Sequence, residues 1–401
     1  MRMLSVVSAA ALFAATGSAL AADAIHFNNA CRPGTRIVVA AVGDLLFHSA
    51  LQRQALSAKG SYADFWQPVQ HVLDQTDLTY GNLEGAVAAG VGIGGRTVTD
   101  PGRRLDGRVY SAKVNEFLFN YHPSLIADLK DTGFDVVSTA NNHGGDRGPL
   151  GVDGTIDALE AEDLAFTGTR RRSEFEQRPW STVVESKGVK IAFLACTYGT
   201  NGGVDRNGQI LNCYRDKAQV MGEIQWLTED PDVDAVILTP HWGAENSTSP
   251  LASDRAYARA AIEAGASAVI GAHPHVLQPW EKITTKDGRE GLVIYSTGNF
   301  ISNQPWTPNR SGVVALLEFT KGRDGQTALT ATGFVPTWVA RNGWRHRVTE
   351  MRSGNRESAG ALSATLRRLP AANRVSGDAV RNLPRACVLT SETATAARAK
   401  P

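Results

Sequence analysis

Short apolar runs alternate along the chain with segments whose apolar residues recur at helical spacing. Most of the runs are rich in β-branched residues and are followed by polar residues. Such alternation is typical of α/β proteins, in which helices cover the faces of a sheet. The predicted strands are 37–42, 78–80, 136–139, 164–167, 183–185, 191–195, 235–239, 268–270, 292–295 and a longer, more antiparallel segment, 312–319.

Helices are predicted between these strands, and glycines mark the ends of two of them. Gly133 and Gly265 follow the first and last of four helical patterns, where glycine can adopt the left-handed conformation that ends a helix. The predicted helices are 123–132, 151–162, 215–228 and 253–264.

A stretch rich in glycine and arginine, 85–112, interrupts the alternation and is predicted to be a long loop over the sheet. Its Arg103 and Arg104 are candidates for contacts with an anionic substrate. The alternative is that these arginines form part of a solvated surface.

The composition is that of a soluble globular protein. The 401 residues are 42% hydrophobic and 20% charged, with a formal net charge of +1. Capture of nucleic acid by charge requires a strong basic excess or a basic stripe. The balance therefore argues against a nucleic-acid partner, and the composition leaves the oligomeric state undetermined.

The first 21 residues have the features of a cleaved secretory signal. A short basic start precedes the apolar run 4–15, and Ala19-Leu20-Ala21 provides an A-x-A cleavage site. A permanent membrane anchor is the alternative, but the apolar run is short for a spanning helix. We therefore expect a secreted or periplasmic protein.

Export would place the four cysteines in an oxidising compartment, where an even number can pair. Four cysteines allow three connectivities. We expect Cys196 to pair with Cys213 across a short loop, and Cys31 to pair with Cys387. Free buried thiols are the alternative.

Side chains that can bind metal follow five of the predicted strands directly at their carboxyl ends. The five clusters are Asp44 with His48, Asn82 with Glu84, Asn141 with Asn142, His143 and Asp146, His241 with Glu245, and His273 with His275. The carboxyl ends of parallel strands lie along one edge of a sheet, where ligands bind, so the clusters should converge. Their imidazoles, carboxylates and amide oxygens suit Zn, Mn or Fe, and two ions need about this many donors.

Taken singly, several of these residues have a simpler explanation. His48 fits a packed or surface histidine, Glu84 can close a turn, and Asn141 and Asn142 are common turn residues. Five of the nine histidines nevertheless follow predicted strands, which favours a metal or polar catalytic site. In the His-Pro-His segment, Pro274 is expected to stiffen an extended chain, so that both histidines face the same side.

Six motifs occur in order between residues 37 and 319. They are Gly43-Asp44 with His48, Asn82-Leu83-Glu84, Ala140-Asn141-Asn142-His143 with Asp146 and Gly148, His241-Trp242-Gly243 with Glu245, Gly271 with His273-Pro274-His275-Val276, and Tyr295-Ser296 with Gly298-Asn299-Phe300. Together they resemble the bacterial capsule synthesis family of the CapA type, which is linked to poly-γ-glutamate capsules.

The resemblance implies a branch of the calcineurin-like metallophosphoesterases. The expected fold is α/β: a four-layer αββα sandwich with mixed sheets and a polar site at the carboxyl ends of strands. The domain would span 36–345, and a partly flexible extension would follow over 346–401.

The resemblance also implies roles for individual residues. Asp44 and His275 would bind one divalent metal, Glu84 would stand at or near the bridging position, and Asn142 with His241 and His273 would bind a second. His143 would be the acid that faces the phosphate or would stabilise the transition state, with Asn142 and Asp146 completing the catalytic group. Further candidates for the site are His48, Asn82, Glu245 and Asn299.

The expected activity is hydrolysis of a phosphoester or phosphoanhydride during biosynthesis of a capsule or another cell-envelope polymer. One alternative is a metal-dependent γ-glutamyl amide hydrolase or transferase. Another is a non-catalytic assembly or export factor that binds an anionic polymer. The expected partners are accordingly a phosphorylated substrate or an anionic polymer, together with the membrane machinery of capsule synthesis.

Overall fold

A computed structural model describes residues 23–110, 118–174, 178–201, 203 and 205–385. The predicted signal, 1–21, lies outside these residues, and so does Cys387, so both the signal and the pairing of Cys31 with Cys387 stay predictions. Across the described ranges, we find no helix whose length and apolar character would let it cross a bilayer.

Helices and strands alternate through most of the described chain. The helices are α1 (Ser49–Ala55), α2 (Gln70–Leu73), α3 (Ser124–Asp131), α4 (Gly148–Ala161), α5 (Lys217–Glu229), α6 (Ala252–Ala264) and α7 (Ala359–Arg368). The strands are β1 (Gly34–Leu45), β2 (Leu78–Leu83), β3 (Val91–Gly92), β4 (Arg96–Thr97), β5 (Val136–Ser138), β6 (Ala165–Thr167), β7 (Ser181–Ser186), β8 (Val189–Thr197), β9 (Ala235–His241), β10 (Ala268–Ile270), β11 (Trp280–Thr284), β12 (Glu290–Ile294), β13 (Asn299–Ile301), β14 (Ser311–Gly322), β15 (Thr327–Asn342) and β16 (Arg345–Glu350).

Two mixed sheets contain most of these strands. The first has the order β16-β15-β14-β1-β2-β5-β6, with β13 also paired to β1, and the second has the order β11-β12-β10-β9-β8-β7. Within the first sheet β1, β2, β5 and β6 run parallel, whereas β14 and β15 are antiparallel to their neighbours. In the second sheet β8, β9, β10 and β12 run parallel.

The alternation of side chains along the strands creates separate cores and so determines the layers. In β1, Val39 packs between the two sheets together with Phe193, whereas its neighbour Val38 belongs to the core under helices α3 and α4. In the second sheet, Leu194 of β8 and Leu238 of β9 pack beneath α5 and α6. The order of layers is therefore helix, sheet, sheet, helix, which confirms the expected αββα sandwich.

All ten predicted strands and all four predicted helices are present, with small shifts at their ends. A disulfide joins Cys196 of β8 to Cys213, with the expected separation of 17 residues. The region predicted as a loop, 85–112, carries a short hairpin made of β3 and β4.

The predicted domain boundary between residues 345 and 346 falls inside β16 and stays a prediction. This strand pairs with β15 from Asn342↔Arg345 to Thr337↔Glu350, and its Val348 lies in the main core. β15 itself went unpredicted because Gly333 and Pro336 interrupt its apolar residues, and both residue types argue against a strand.

Candidate metal centre

The strand ends of both sheets meet at one place, as the positions of the polar clusters suggested. Asp44 pairs with Asn82 in the parallel register of β1 and β2, and His241 is the last residue of β9. The Asn82 amide Nδ2 donates to Asp44 Oδ1 at 2.8 Å and to His241 Nδ1 at 3.2 Å. One buried carboxamide thus connects the edge of the first sheet to the edge of the second.

The first group of donors surrounds His275. Its Nδ1 donates to Asp44 Oδ2 at 2.9 Å, and Asn299 Oδ1 lies 3.0 Å from the same nitrogen. Asn299 reaches this position because β13 runs parallel to β1, with Asp44 opposite Asn299. Gly43 permits the close approach, since a Cβ there would lie 1.7 Å from the Gly298 carbonyl oxygen.

The second group of donors surrounds His241, and Glu84 lies between the two groups. Asn142 Oδ1 lies 2.9 Å from His241 Nε2. Glu84 Oε1 lies 3.7 Å from His241 Nε2 and 3.9 Å from His275 Nε2. Glu84 Oε1 thus lies within 4 Å of a nitrogen from each group, and its bridging role stays a prediction.

Glu84 provides the test of whether these residues fit a cation. Its carboxylate is fully buried, and neither oxygen has a hydrogen-bond partner. A buried carboxylate without a partner is costly, unless a cation compensates its charge. Glu84, His273 and His275 each offer a donor atom, all within 4.8 Å of one another, and nitrogen with oxygen donors suits a divalent transition metal. The residues present therefore fit a metal ion.

The His-Pro-His segment differs from the expected extended chain. His273 and His275 have φ angles of 98° and 57°, in a region that side chains other than glycine seldom occupy. Both imidazoles still face the centre, because the backbone turns here. Such strain persists only where the surroundings enforce it, and it is frequent at functional sites.

The histidines of the cluster differ in the pKa of their imidazoles. Burial, with repulsion from His273, holds the pKa of His241 well below its usual range, and burial with the charge of His275 lowers the pKa of His273 to about 4. Burial also opposes protonation of His275, but the nearby Glu84 and Asp44 outweigh it and raise its pKa to about 10. His241 and His273 are therefore neutral, which is the form that binds metal.

Burial, followed by repulsion from Asp44, raises the pKa of Glu84 well above its usual range. The proton on His275 reduces this repulsion. Positive charge is thus attracted to the space between the carboxylates.

His143 is held beside this cluster by Asp146. His143 Nδ1 donates to Asp146 Oδ2 at 2.8 Å, and the same oxygen accepts the backbone N–H of Phe119 at 2.6 Å. Burial raises the pKa of Asp146, against the opposing effect of His143. The backbone N–H of His143 donates to Asn141 Oδ1, so both the ring and the main chain of His143 are held.

The remaining predicted residues lie farther out. The imidazole of His48 accepts the backbone N–H of Asn303 at 3.4 Å and packs edge-on against Phe119. Glu245 and Arg104 are exposed. Arg103 donates to the backbone carbonyls of Ala55 and Gly60, so its guanidinium anchors the loop to the end of α1.

Sequence reasoning missed two residues that follow β8. The Tyr198 ring centroid lies 4.6 Å from that of His273, and the ring stacks on His241 at 6.5 Å. The backbone N–H of Asn201 donates to the Asn142 carbonyl at 2.7 Å, and Asn201 Nδ2 lies 3.5 Å from His143 Nε2. Both residues follow the predicted strand 191–195, and this position at a strand end could have pointed to them. The residues after this strand include no typical metal ligand, so they were passed over.

The chain is similar to known capsule proteins. Residues 38–304 match the family described as bacterial capsule synthesis protein PGA_cap. Over 212 residues the chain is 31% identical to the capsule biosynthesis protein CapA of Bacillus anthracis, covering 50% of this chain and 47%, about half, of that protein. Over 301 residues it is 26% identical to the PGA biosynthesis protein CapA of Bacillus subtilis (strain 168), covering 72% of this chain and 69% of that protein.

Among solved structures, a novel phosphatase from Mycoplasma pneumoniae aligns with a TM-score of 0.42 and 14% identity, covering 76% of this chain and 94% of that chain. The family match contains the strand-end motifs from Asp44 to Asn299, including every residue of the two donor groups described above. The chain belongs to the bacterial capsule synthesis protein family.

Proposed function

We propose that the protein is a metal-dependent hydrolase of phosphoesters that acts in the biosynthesis of a capsule or another cell-envelope polymer. The observation that carries the proposal is the buried Glu84 carboxylate, which has no hydrogen-bond partner and lies within 4 Å of two histidines. A bound cation would compensate this charge; without one, burial and repulsion from Asp44 favour protonation of the carboxylate.

Two divalent ions, drawn from Mn, Zn and Fe, fit the donors. Asp44, Asn299 and His275 would hold one ion, Asn142, His241 and His273 would hold the other, and Glu84 would serve both. Bound there, the ions would supply Lewis acidity toward a phosphoryl oxygen and favour attack by water on phosphorus.

The chain's own residues supply the proton and the shape of the site. The hydrogen bond from Nδ1 to Asp146 fixes the ring of His143, whose Nε2 lies 3.5 Å from Asn201 Nδ2. In its charged form His143 carries a proton on Nε2, which it would donate to the leaving oxygen. Tyr198 covers the ring faces of His241 and His273, which limits the access of bulk water to the metal-binding nitrogens.

The biological setting rests on the family and on the expected export. The two relatives are named for capsule and PGA biosynthesis, which supports an envelope polymer as the source of the substrate. A secreted or periplasmic location agrees with that setting and depends on the predicted signal. Contact with membrane machinery of capsule synthesis is part of the same proposal.

The test combines metal analysis with two substrate panels. Protein purified without chelators is assayed for bound metals, for release of phosphate from phosphoesters, and for release of amine from γ-glutamyl amides. We expect about two ions and phosphate release, both lost together in His241→Asn and His273→Asn. His26→Asn, which changes an exposed histidine outside the site, is the matched control and should retain both.

Three outcomes would overturn the proposal. Full phosphoesterase activity in a variant that carries both His241→Asn and His273→Asn would show that the metal centre takes no part in the reaction. Release of amine without phosphate would favour the γ-glutamyl hydrolase or transferase. Protein free of metal that binds an anionic polymer without turnover would favour the assembly factor.

A further inference from the structure

Tyr198, the residue that follows β8, is held at the edge of the metal centre. Its backbone N–H donates to the His241 carbonyl at 2.9 Å, and its own carbonyl accepts from Asn212 Nδ2 at 3.0 Å. Its ring contacts the imidazole of His273, with centroids 4.6 Å apart, and stacks on that of His241. The place of Tyr198 against the second group of donors is therefore fixed by both its main chain and its ring.

Part of the Tyr198 side chain is open to solvent beside this buried group. Tyr198 is 37% exposed, whereas His241 and His273 are 1% and 3% exposed. A ring that covers two buried imidazoles and is itself exposed belongs to both environments. Tyr198 therefore lies where solvent meets the second group of donors.

The hydroxyl of Tyr198 lies close to the carboxamide of Asn142. Burial, followed by the charges of Glu245 and Glu84, raises the pKa of the Tyr198 phenol. The Asn142 side chain is near enough to oppose this rise. Asn142 Oδ1 in turn lies 2.9 Å from His241 Nε2, so the hydroxyl stands beside atoms that would bind the second ion.

An O–H and an N–H group at this position have no acceptor in the protein. Asn142 Nδ2 is buried and has no hydrogen-bond partner of normal length and angle. In the part of the chain that the structure describes, the Tyr198 hydroxyl likewise donates to no protein atom. A buried polar group without a partner is costly, and donors that converge beside metal ligands suit the oxygens of an anion. A bound phosphoryl group would supply the missing acceptors.

We propose that the Tyr198 hydroxyl donates a hydrogen bond to a non-bridging phosphoryl oxygen of the substrate and so stabilises the transition state, in which these oxygens share the charge. The proton stays on the phenol throughout, and no bond to Tyr198 forms or breaks. The inference rests on the proposed function and adds a catalytic residue to it. Its task differs from that of His143, which would supply a proton to the leaving oxygen.

A pair of tyrosine variants tests the inference. Tyr198→Phe removes the hydroxyl and keeps a ring over the two imidazoles. Tyr214→Phe is the matched control, because Tyr214 is 38% exposed and its hydroxyl donates to Asp254 at 2.8 Å, outside the centre. Both variants are compared with wild type as the metal-loaded full chain, and both should contain as much metal as wild type.

Two measurements report on the contact with the oxyanion. Calorimetry with inorganic phosphate gives binding, and phosphate release from 4-nitrophenyl phosphate gives turnover. We expect Tyr198→Phe to bind phosphate about threefold more weakly and to lower kcat at least tenfold, because a hydrogen bond to a charged oxygen is strong and counts most in the transition state. Tyr214→Phe should stay within about twofold of wild type in both.

Two substrates show which oxygen the hydroxyl contacts. Phenol is a poorer leaving group than 4-nitrophenol, so its departure depends more on a proton donor. A hydrogen bond to a non-bridging oxygen should matter similarly for both esters, and the loss of kcat in Tyr198→Phe should agree within about threefold. A loss confined to phenyl phosphate would assign the hydroxyl to the leaving oxygen and overturn the inference.

The outcomes separate this inference from the proposed function. If Tyr198→Phe keeps the wild-type phosphate affinity and kcat, or loses metal together with activity, the role of Tyr198 is wrong and the hydrolase remains. If wild-type protein releases phosphate from no phosphoester, the hydrolase is wrong. Weaker phosphate binding in Tyr198→Phe would then still support the contact with the oxyanion, and equal or absent binding would remove it.

Discussion

Replacing Glu84 with glutamine is the sharpest test of the metal centre. The change keeps the shape of the side chain and removes one buried negative charge. Neither carboxylate oxygen has a hydrogen-bond partner, so without metal the charge destabilises the folded protein. Glu84→Gln should therefore be at least as stable as wild type when a chelator is present.

Added metal should make the wild-type protein more stable than Glu84→Gln. A ligand that binds only the folded state stabilises it by about 2.7 kcal/mol at a concentration 100 times its Kd. Unfolding entropy is about 2.1 cal/mol/K per residue, which gives about 0.8 kcal/mol/K for 401 residues. Wild-type Tm should then rise by about 3 °C, and Glu84→Gln, which lacks the shared carboxylate, should rise by less than about 1 °C at the same metal concentration.

Differential scanning calorimetry measures both effects on protein stripped with a chelator and then titrated with Mn²⁺ or Zn²⁺. His26→Asn controls for metal bound by surface histidines, since its imidazole is exposed and outside the centre. An equal rise of Tm in Glu84→Gln and wild type would place the metal elsewhere and refute the reasoning.

Three further predictions concern other parts of the molecule. Replacing Cys196 and Cys213 together by serine should lower the free energy of unfolding by about 3 kcal/mol in urea titrations, because the bond closes a loop of 17 residues. Burial alone would raise the pKa of Asp77, but hydrogen bonds led by that from Lys187 hold it below its usual range. Asp77→Asn should therefore cost about 1–3 kcal/mol at pH 7, and the difference from wild type should shrink as the pH falls below about 4, where the wild-type carboxylate also becomes protonated. Asp146→Asn should lower phosphoesterase turnover at least tenfold with metal content unchanged. The reason is that Asp146 contacts His143 and no residue of the two donor groups. Loss of metal together with turnover would contradict that assignment.

The sequence predicts the donors that follow strands because two features can be read locally. These are the end of each apolar run and the chemistry of the side chains that come next. Asp44, Glu84 and His241 each come at the end of an apolar run, and parallel strands bring such ends to one edge. Their identities as carboxylates and imidazole then indicate the ligand. No long-range information is needed for this step.

Contacts that depend on the path of loops could not be predicted in this way. Tyr198 stacks on His241 only because β8 and β9 are parallel neighbours, with Thr197 opposite His241. Arg341 of β15 donates to the Gln304 carbonyl, in the loop after β13, and Gly333 and Pro336 interrupt the apolar residues of that strand. The turned backbone of the His-Pro-His segment is set by the tertiary structure around it, so local stiffness from proline misled the prediction.

The centre lies where two sheets meet, and this position explains its charge balance. Asp44 and Glu84 come from the first sheet, whereas His241, His273 and His275 come from the second. Packing the sheets together therefore brings two buried carboxylates against three buried imidazoles. Among the imidazoles, only the one hydrogen-bonded to Asp44 takes up a proton, with a pKa raised to about 10 by Glu84 and Asp44 against the effect of burial. The carboxylates that hold this proton are the ones that would attract a metal ion. Proton and metal therefore compete for the same negative potential, which forms when the two sheets pack together.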